Sequence, residues 1–165
     1  MRAYFILSYV INIVLSLVAY YVLPEKVAIH FGPGGQPDNW ASGTTHALIM
    51  LAANTVLFLL FYYSVPMIRK IPAKWISLPN SEYWFKAENI SEMETRLSPR
   101  MWQMGTLTLF FMFCVGLFSV YANLSDPVRL QEGMFIGVLV IYLLLVACWC
   151  VLIIRDFRIP THDKN

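Results

Sequence analysis

"AYFILSYVINIVLSLVAYYVL", residues 3–23, decides how the chain is read: it carries no charged side chain and stops at Pro24. At 1.5 Å of rise per residue, roughly 20 helical residues cross the hydrocarbon core of a bilayer, so the stretch is long enough to span. A secretory signal is the rival reading. Its apolar core would run only about 7–15 residues, and Ala19-Tyr20-Tyr21-Val22-Leu23-Pro24 lacks a small-x-small cleavage pattern. The stretch is therefore read as a transmembrane helix.

Outward from it, three more uncharged stretches of similar length follow, and the four predicted spans are about 4–23, 47–68, 102–123 and 133–154. The chain is 58% apolar and 13% charged, with a mean hydropathy of +0.59. Soluble domains sit near 45–50% apolar and about 25% charged. The expected fold class is all-α: one integral membrane domain over residues 1–165, with an ordered extracytoplasmic loop and a short interfacial helix on the cytoplasmic side. Its first partner is the lipid bilayer.

Cations are unevenly placed. The amino terminus, the 69–100 connection and the tail hold Arg2, Arg69, Lys70, Lys74, Lys86, Arg96, Arg100, Arg155, Arg158 and Lys164, whereas the opposite loops hold Lys26 and Arg129. Cytoplasmic loops are the ones enriched in Lys and Arg, so both termini are predicted to be cytoplasmic, in the cell or inner membrane. Cys114, Cys148 and Cys150 lie inside predicted spans and form no metal or redox motif, which leaves them as packing residues.

Within the first span, Ser8, Asn12 and Ser16 recur every four residues on one face, either as a packing stripe or as a ligand-lining one. Asn54 and Thr55 of the second span are natural partners. Pro66 should kink or end that helix. Gly133 and Gly137 form a small-xxx-small pattern that either seats the fourth helix on its neighbours or makes a dimer. Ser91 and Glu94 have capping-box spacing, predicting a short helix through Leu97. Tyr83, Trp84 and Phe85 beside Lys86 suit the headgroup layer, as an anchor or as a docking surface for a cytoplasmic protein at 78–98.

Several chemistries are disfavoured. Coupled transporters generally bury ionisable groups within their spans, and the four spans hold no Asp, Glu, Lys, Arg or central His. Gly32-Pro33-Gly34-Gly35 is not followed by Lys-Ser/Thr, so no phosphate loop is expected. Ser42, Thr44 and Thr45 adjoin His46, but adjacency does not make a triad. Asn123-Leu124-Ser125 fits a glycosylation acceptor, a triplet common by chance. No enzymatic activity, cofactor or nucleic-acid partner is expected. His30, Asp38 and His46 are the weak metal candidates, because imidazole and carboxylate ligate zinc, although their spacing matches no standard motif.

The loop "PEKVAIHFGPGGQPDNW", residues 24–40, carries the most specific signal. Leu23-Pro24, Ile29-His30-Phe31, Gly35-x-Pro37-Asp38-x-Trp40 and Ser42 resemble the signature of the domain of unknown function 1648 family of polytopic membrane proteins. Leu78-Pro79-Asn80-x-x-Tyr83-Trp84 resembles a second element of that family, and the two motifs with their helices cover about residues 5–90. The resemblance implies a membrane protein distantly similar to Sdp-type immunity proteins, which protect a cell from a secreted peptide toxin. It marks Pro24, His30, Gly35, Pro37, Asp38 and Trp40 as ligand-binding or loop-structuring positions, and Pro79, Asn80, Tyr83 and Trp84 as interfacial or partner positions. Gly32-Pro33-Gly34 and Gly43 depart from the pattern, as does the number of helices. The expected function is non-catalytic: a binding, signalling or toxin-immunity module whose outer loop meets an extracytoplasmic peptide or protein. The alternatives are a structural subunit of a larger membrane assembly and a membrane-embedded enzyme or carrier.

Overall fold

A computed structural model describes residues 1–159; Lys164 of the cation tally lies outside them. Helix α1 runs Arg2–Val22, and strands β1 (Lys26–Phe31) and β2 (Pro37–Ser42) follow. Helix α2 spans Gly43–Ile68, the one-turn helix α3 Ser81–Trp84, α4 Ile90–Asn123 and α5 Glu132–Asp156. Helices α1, α2, α4 and α5 are each long and apolar enough to cross a membrane. Antiparallel succession puts the hairpin and the 124–131 loop at one end of the bundle. Residue 1, the 69–89 segment and residues 157–159 lie at the other, the tail end.

The all-α expectation omitted the antiparallel hairpin of β1 and β2, in which Val27 faces Ala41 and Ala28 faces Trp40. Its turn is made by Pro33–Gly35, with Gly34 and Gly35 at φ 74° and 73°, a region that side chains with a Cβ rarely adopt. Pro37 is tolerated because it opens its strand.

Helix α2 starts where Ser42 Oγ accepts the amide of Thr45, and it ends two residues beyond Pro66, whose missing amide removes one bond from the last turns. The capping box is a correction. Helix α4 begins at Ile90 without a side-chain cap, and the expected short helix runs unbroken into the third span. Glu94 is drawn instead into an ion pair with Arg69 at the end of α2.

Helices α1, α2 and α4 form the packed core. Phe5 and Tyr9 stack on Phe58 at 4.9 and 4.3 Å, and Phe5 also meets Trp102 at 5.2 Å. Glycines in α4 make room: a Cβ on Gly105 would stand 2.6 Å from the Phe5 ring, and one on Gly116 2.5 Å from Met50 Cε. Asn12 and Ser16 are buried on the inward face of α1. Asn12 Nδ2 donates to the Ser8 carbonyl at 2.8 Å and across to that of Leu109 at 2.9 Å. The expected partners divide differently: Thr55 pairs with Tyr9, while Asn54 Nδ2 turns back to the Met50 carbonyl.

Helix α5 lies against α4, where Tyr142 stacks on Phe111 at 4.3 Å. A Cβ on Gly133 or Gly137 would meet nothing within 4 Å, so these glycines do not seat α5 on its neighbours. At the tail end, Trp84 and Phe157 are fully buried in a cluster with Val65, Met93 and Ile153. Trp84 Nε1 and Asn80 Nδ2 each donate to the Phe157 carbonyl at 2.9 Å, and Arg96 donates to that of Asp156 at 3.0 Å. Three donors thus satisfy carbonyls that a helix end leaves unpaired.

The two kinds of glycine should behave differently. Gly105→Ala forces the stacked Phe5 ring to move and should destabilise the detergent-purified protein by about 1–3 kcal/mol. Gly137→Ala should leave its thermal midpoint unchanged.

Candidate functional site

The hairpin is the best-defined polar feature, and its fastening begins with Ala28. The Ala28 amide donates to Asn123 Oδ1 at 2.7 Å, and Asn123 Nδ2 donates to the Ala28 carbonyl at 3.0 Å. Both groups therefore point away from β2, and Asn123, the last residue of α4, replaces a third strand there. Nδ2 also reaches the Ser119 carbonyl at 3.0 Å. Asn123 is only 4% exposed, so its amide is not an accessible glycosylation acceptor. On the opposite edge, Asn39 Oδ1 accepts the Trp40 amide at 2.8 Å. The β1 edge is thus closed at Ala28, and the Trp40 amide on the β2 edge is occupied, which guards a hairpin against unwanted pairing.

The turn is fastened separately. The Leu130 amide donates to the Gly35 carbonyl at 2.8 Å, and Arg129 Nε donates to that of Gly34 at 2.9 Å. A Cβ on Gly35 would lie 2.1 Å from the Leu130 carbonyl oxygen, so both φ and contact demand glycine here.

The highlighted residues divide by role. His30 Nδ1 pairs with Asp38 Oδ1 across the hairpin, with side chains 67% and 53% exposed. A polar contact this wet contributes little to stability. Trp40 is exposed beside Lys26, whose ammonium lies 5.0 Å from its ring centroid. Pro24 is exposed between α1 and β1, and its carbonyl would lie 3.1 Å from a Cβ on Gly43. Gly35 and Pro37 shape the hairpin. Pro79 borders a cleft at the tail end, and Tyr83 stands edge-on to Trp84 at 5.0 Å. Asn80 and Trp84 hold the end of α5, so Trp84 lies buried within the protein.

His46 belongs elsewhere. It lies in the first turn of α2, only 5% exposed, and its Nε2 is 2.8 Å from Ser119 Oγ on α4. Ser42 and Thr45 bond each other at 2.9 Å as the helix cap, so the hydroxyl that His46 uses is remote in sequence. His46 Nδ1 is enclosed with no hydrogen-bond partner. The pair has the spacing of a nucleophile and its base, but among the described residues none bonds Nδ1 to orient the imidazole. Among the described residues, no three His, Cys, Asp or Glu side chains converge as a metal would require.

Residues 7–55 match the family described as domain of unknown function (DUF1648). The chain carries a DUF1648 domain. The DUF1648 segment comprises most of α1, the whole hairpin and the first half of α2, so His30, Asp38, Trp40 and His46 fall within it. Its fastenings at Asn123, Arg129 and Leu130, and the 78–84 motif, lie beyond the match. The chain matches no curated protein and no solved structure.

The clasp is directly testable. Asn123→Ala strands the Ala28 amide and carbonyl, and an unsatisfied buried group costs about 1–3 kcal/mol. The variant should lose on the order of 2 kcal/mol of stability and become cleavable by protease within 26–42, while the helices remain intact.

Proposed function

We propose that this is a non-catalytic membrane binding module that uses the hairpin on the extracytoplasmic face to recognise a peptide or protein. The cation distribution supports that orientation. Nine of the described Lys and Arg side chains, Arg2, Arg69, Lys70, Lys74, Lys86, Arg96, Arg100, Arg155 and Arg158, belong to the tail end, against Lys26 and Arg129 at the hairpin end.

One observation carries the recognition reading. The bonds that fasten the hairpin use backbone groups, Asn123, Leu130 and Arg129. His30, Asp38 and Trp40 take no part in them and remain exposed. A rigid scaffold presenting an imidazole–carboxylate pair and an indole has the features of a contact surface, since exposed loops held by a scaffold commonly carry binding. With the β1 edge closed at Ala28 and the Trp40 amide occupied on β2, contact through side chains is favoured over strand addition. A toxin-immunity or signalling role is the form this reading takes if the partner is a secreted peptide.

A structural subunit is the second reading, and α5 favours it. Only 6% of its most apolar 18-residue window is buried, and Gly133 and Gly137 face open space.

Replacing His30 and Asp38 together by Ala separates the readings. Recognition predicts unchanged abundance and thermal midpoint with lost partner capture or toxin protection in cells expressing the chain. If abundance falls with function, the pair is architectural and the recognition reading fails.

A further inference from the structure

Beneath the hairpin lies a cavity of about 460 Å³, walled by β1, α2, α4, Leu130 and the start of α5. Phe31, Ile49, Met50, Val115, Phe118 and Phe135 are among its lining residues, and among the described residues no Asp, Glu, Lys or Arg lines it. Its polar groups are His30, His46 and Ser119. Volume and lining fall within the range of small-molecule sites, about 300–1,000 Å³ and mostly apolar with a few polar groups.

His46 makes this more than a packing gap. Its ring is nearly all buried, Ser119 takes Nε2, and Nδ1 has no partner. A neutral imidazole has one donor and one acceptor nitrogen, and a buried one left unpaired is costly. Native proteins rarely leave such a group unpaired without a ligand, ion or water to complete it. His46 lines the cavity and the terminal torsion of a histidine ring is soft, so the ring can turn to meet a group entering there.

We propose that this cavity is a binding site for a neutral amphiphile, an apolar chain bearing one hydroxyl, whose hydroxyl bonds His46. A hydroxyl both donates and accepts, so it suits either tautomer of the imidazole. A charged head group would meet no opposing Lys, Arg, Asp or Glu on the lining. The site lies where α2 and α4 reach the hairpin, at the level where apolar and polar layers meet. The roof is held by the Asn123 and Leu130 bonds, so the cavity is preformed. The proposal is independent of any role for the exposed face of His30 and Asp38.

The test uses the full chain in nanodiscs with a diazirine-bearing dodecanol. Crosslinks should map to the α4 segment 115–119 and to Phe135. Excess dodecanol should compete at least tenfold better than dodecyl phosphate or dodecyltrimethylammonium. His46→Leu should lower labelling about tenfold, the effect of losing roughly 1.4 kcal/mol of binding, with unchanged protease resistance at 26–42. Val115→Phe, which fills the cavity and keeps His46, should lower it similarly. Mass spectrometry without added probe separates the sources: a co-purifying hydroxyl lipid assigns a membrane ligand, and occupancy only after addition assigns a diffusible one. Crosslinks spread along the lipid face of α5, labelling unaffected by both variants, or equal competition by the charged amphiphiles would overturn the proposal.

Discussion

Two hydrogen bonds between the Asn123 side chain and the backbone of Ala28 hold the hairpin to the helices. A two-stranded hairpin is marginal by itself in water, and next to hydrocarbon an unpaired amide is costlier still. Asn123 satisfies the amide and carbonyl that β1 turns away from β2, as a neighbouring strand would. Asn39 occupies the Trp40 amide on the other edge, and Leu130 fixes the turn at Gly35. The exposure of His30, Asp38 and Trp40 and the cavity roof above His46 follow from that fastening.

The bundle below is uneven in a way that bears on assembly. Helices α1, α2 and α4 interlock through stacked rings and close approach at Gly105 and Gly116. Helix α5 leans on α4 and is gripped most firmly at its tail end. Trp84, Asn80 and Arg96 take its last carbonyls there, and Arg100 Nε meets Asp156 at 2.7 Å. The aromatic motif before α4 is therefore an internal clamp. Its side chains bring together segments more than seventy residues apart, as Trp84 and Phe157 show.

Much of this was legible because hydrocarbon excludes charge. Four uncharged stretches located the four long helices, and Pro66 located the end of α2. The Ser8-Asn12-Ser16 stripe pointed inward, although Asn12 chose the Leu109 carbonyl over Asn54. The hairpin escaped because Val27 and Ala28 are both buried, which erases the alternation that announces a strand. The Ser119–His46 and Asn123–Ala28 pairs span 73 and 95 positions, so no local spacing betrays them. Asn123 did offer one clue: a polar residue at the end of an apolar helix needs a partner. The burial of Trp84 against a carbonyl was not legible because an indole suits a headgroup layer and a buried carbonyl equally well.

The most direct test is amide hydrogen exchange of the unmodified protein in nanodiscs, resolved at β1. If Asn123 holds the hairpin against the bundle, the Ala28 amide should exchange as slowly as amides in the middle of α4. Exchange of Ala28 at the rate of an open loop, with α4 still protected, would contradict the account.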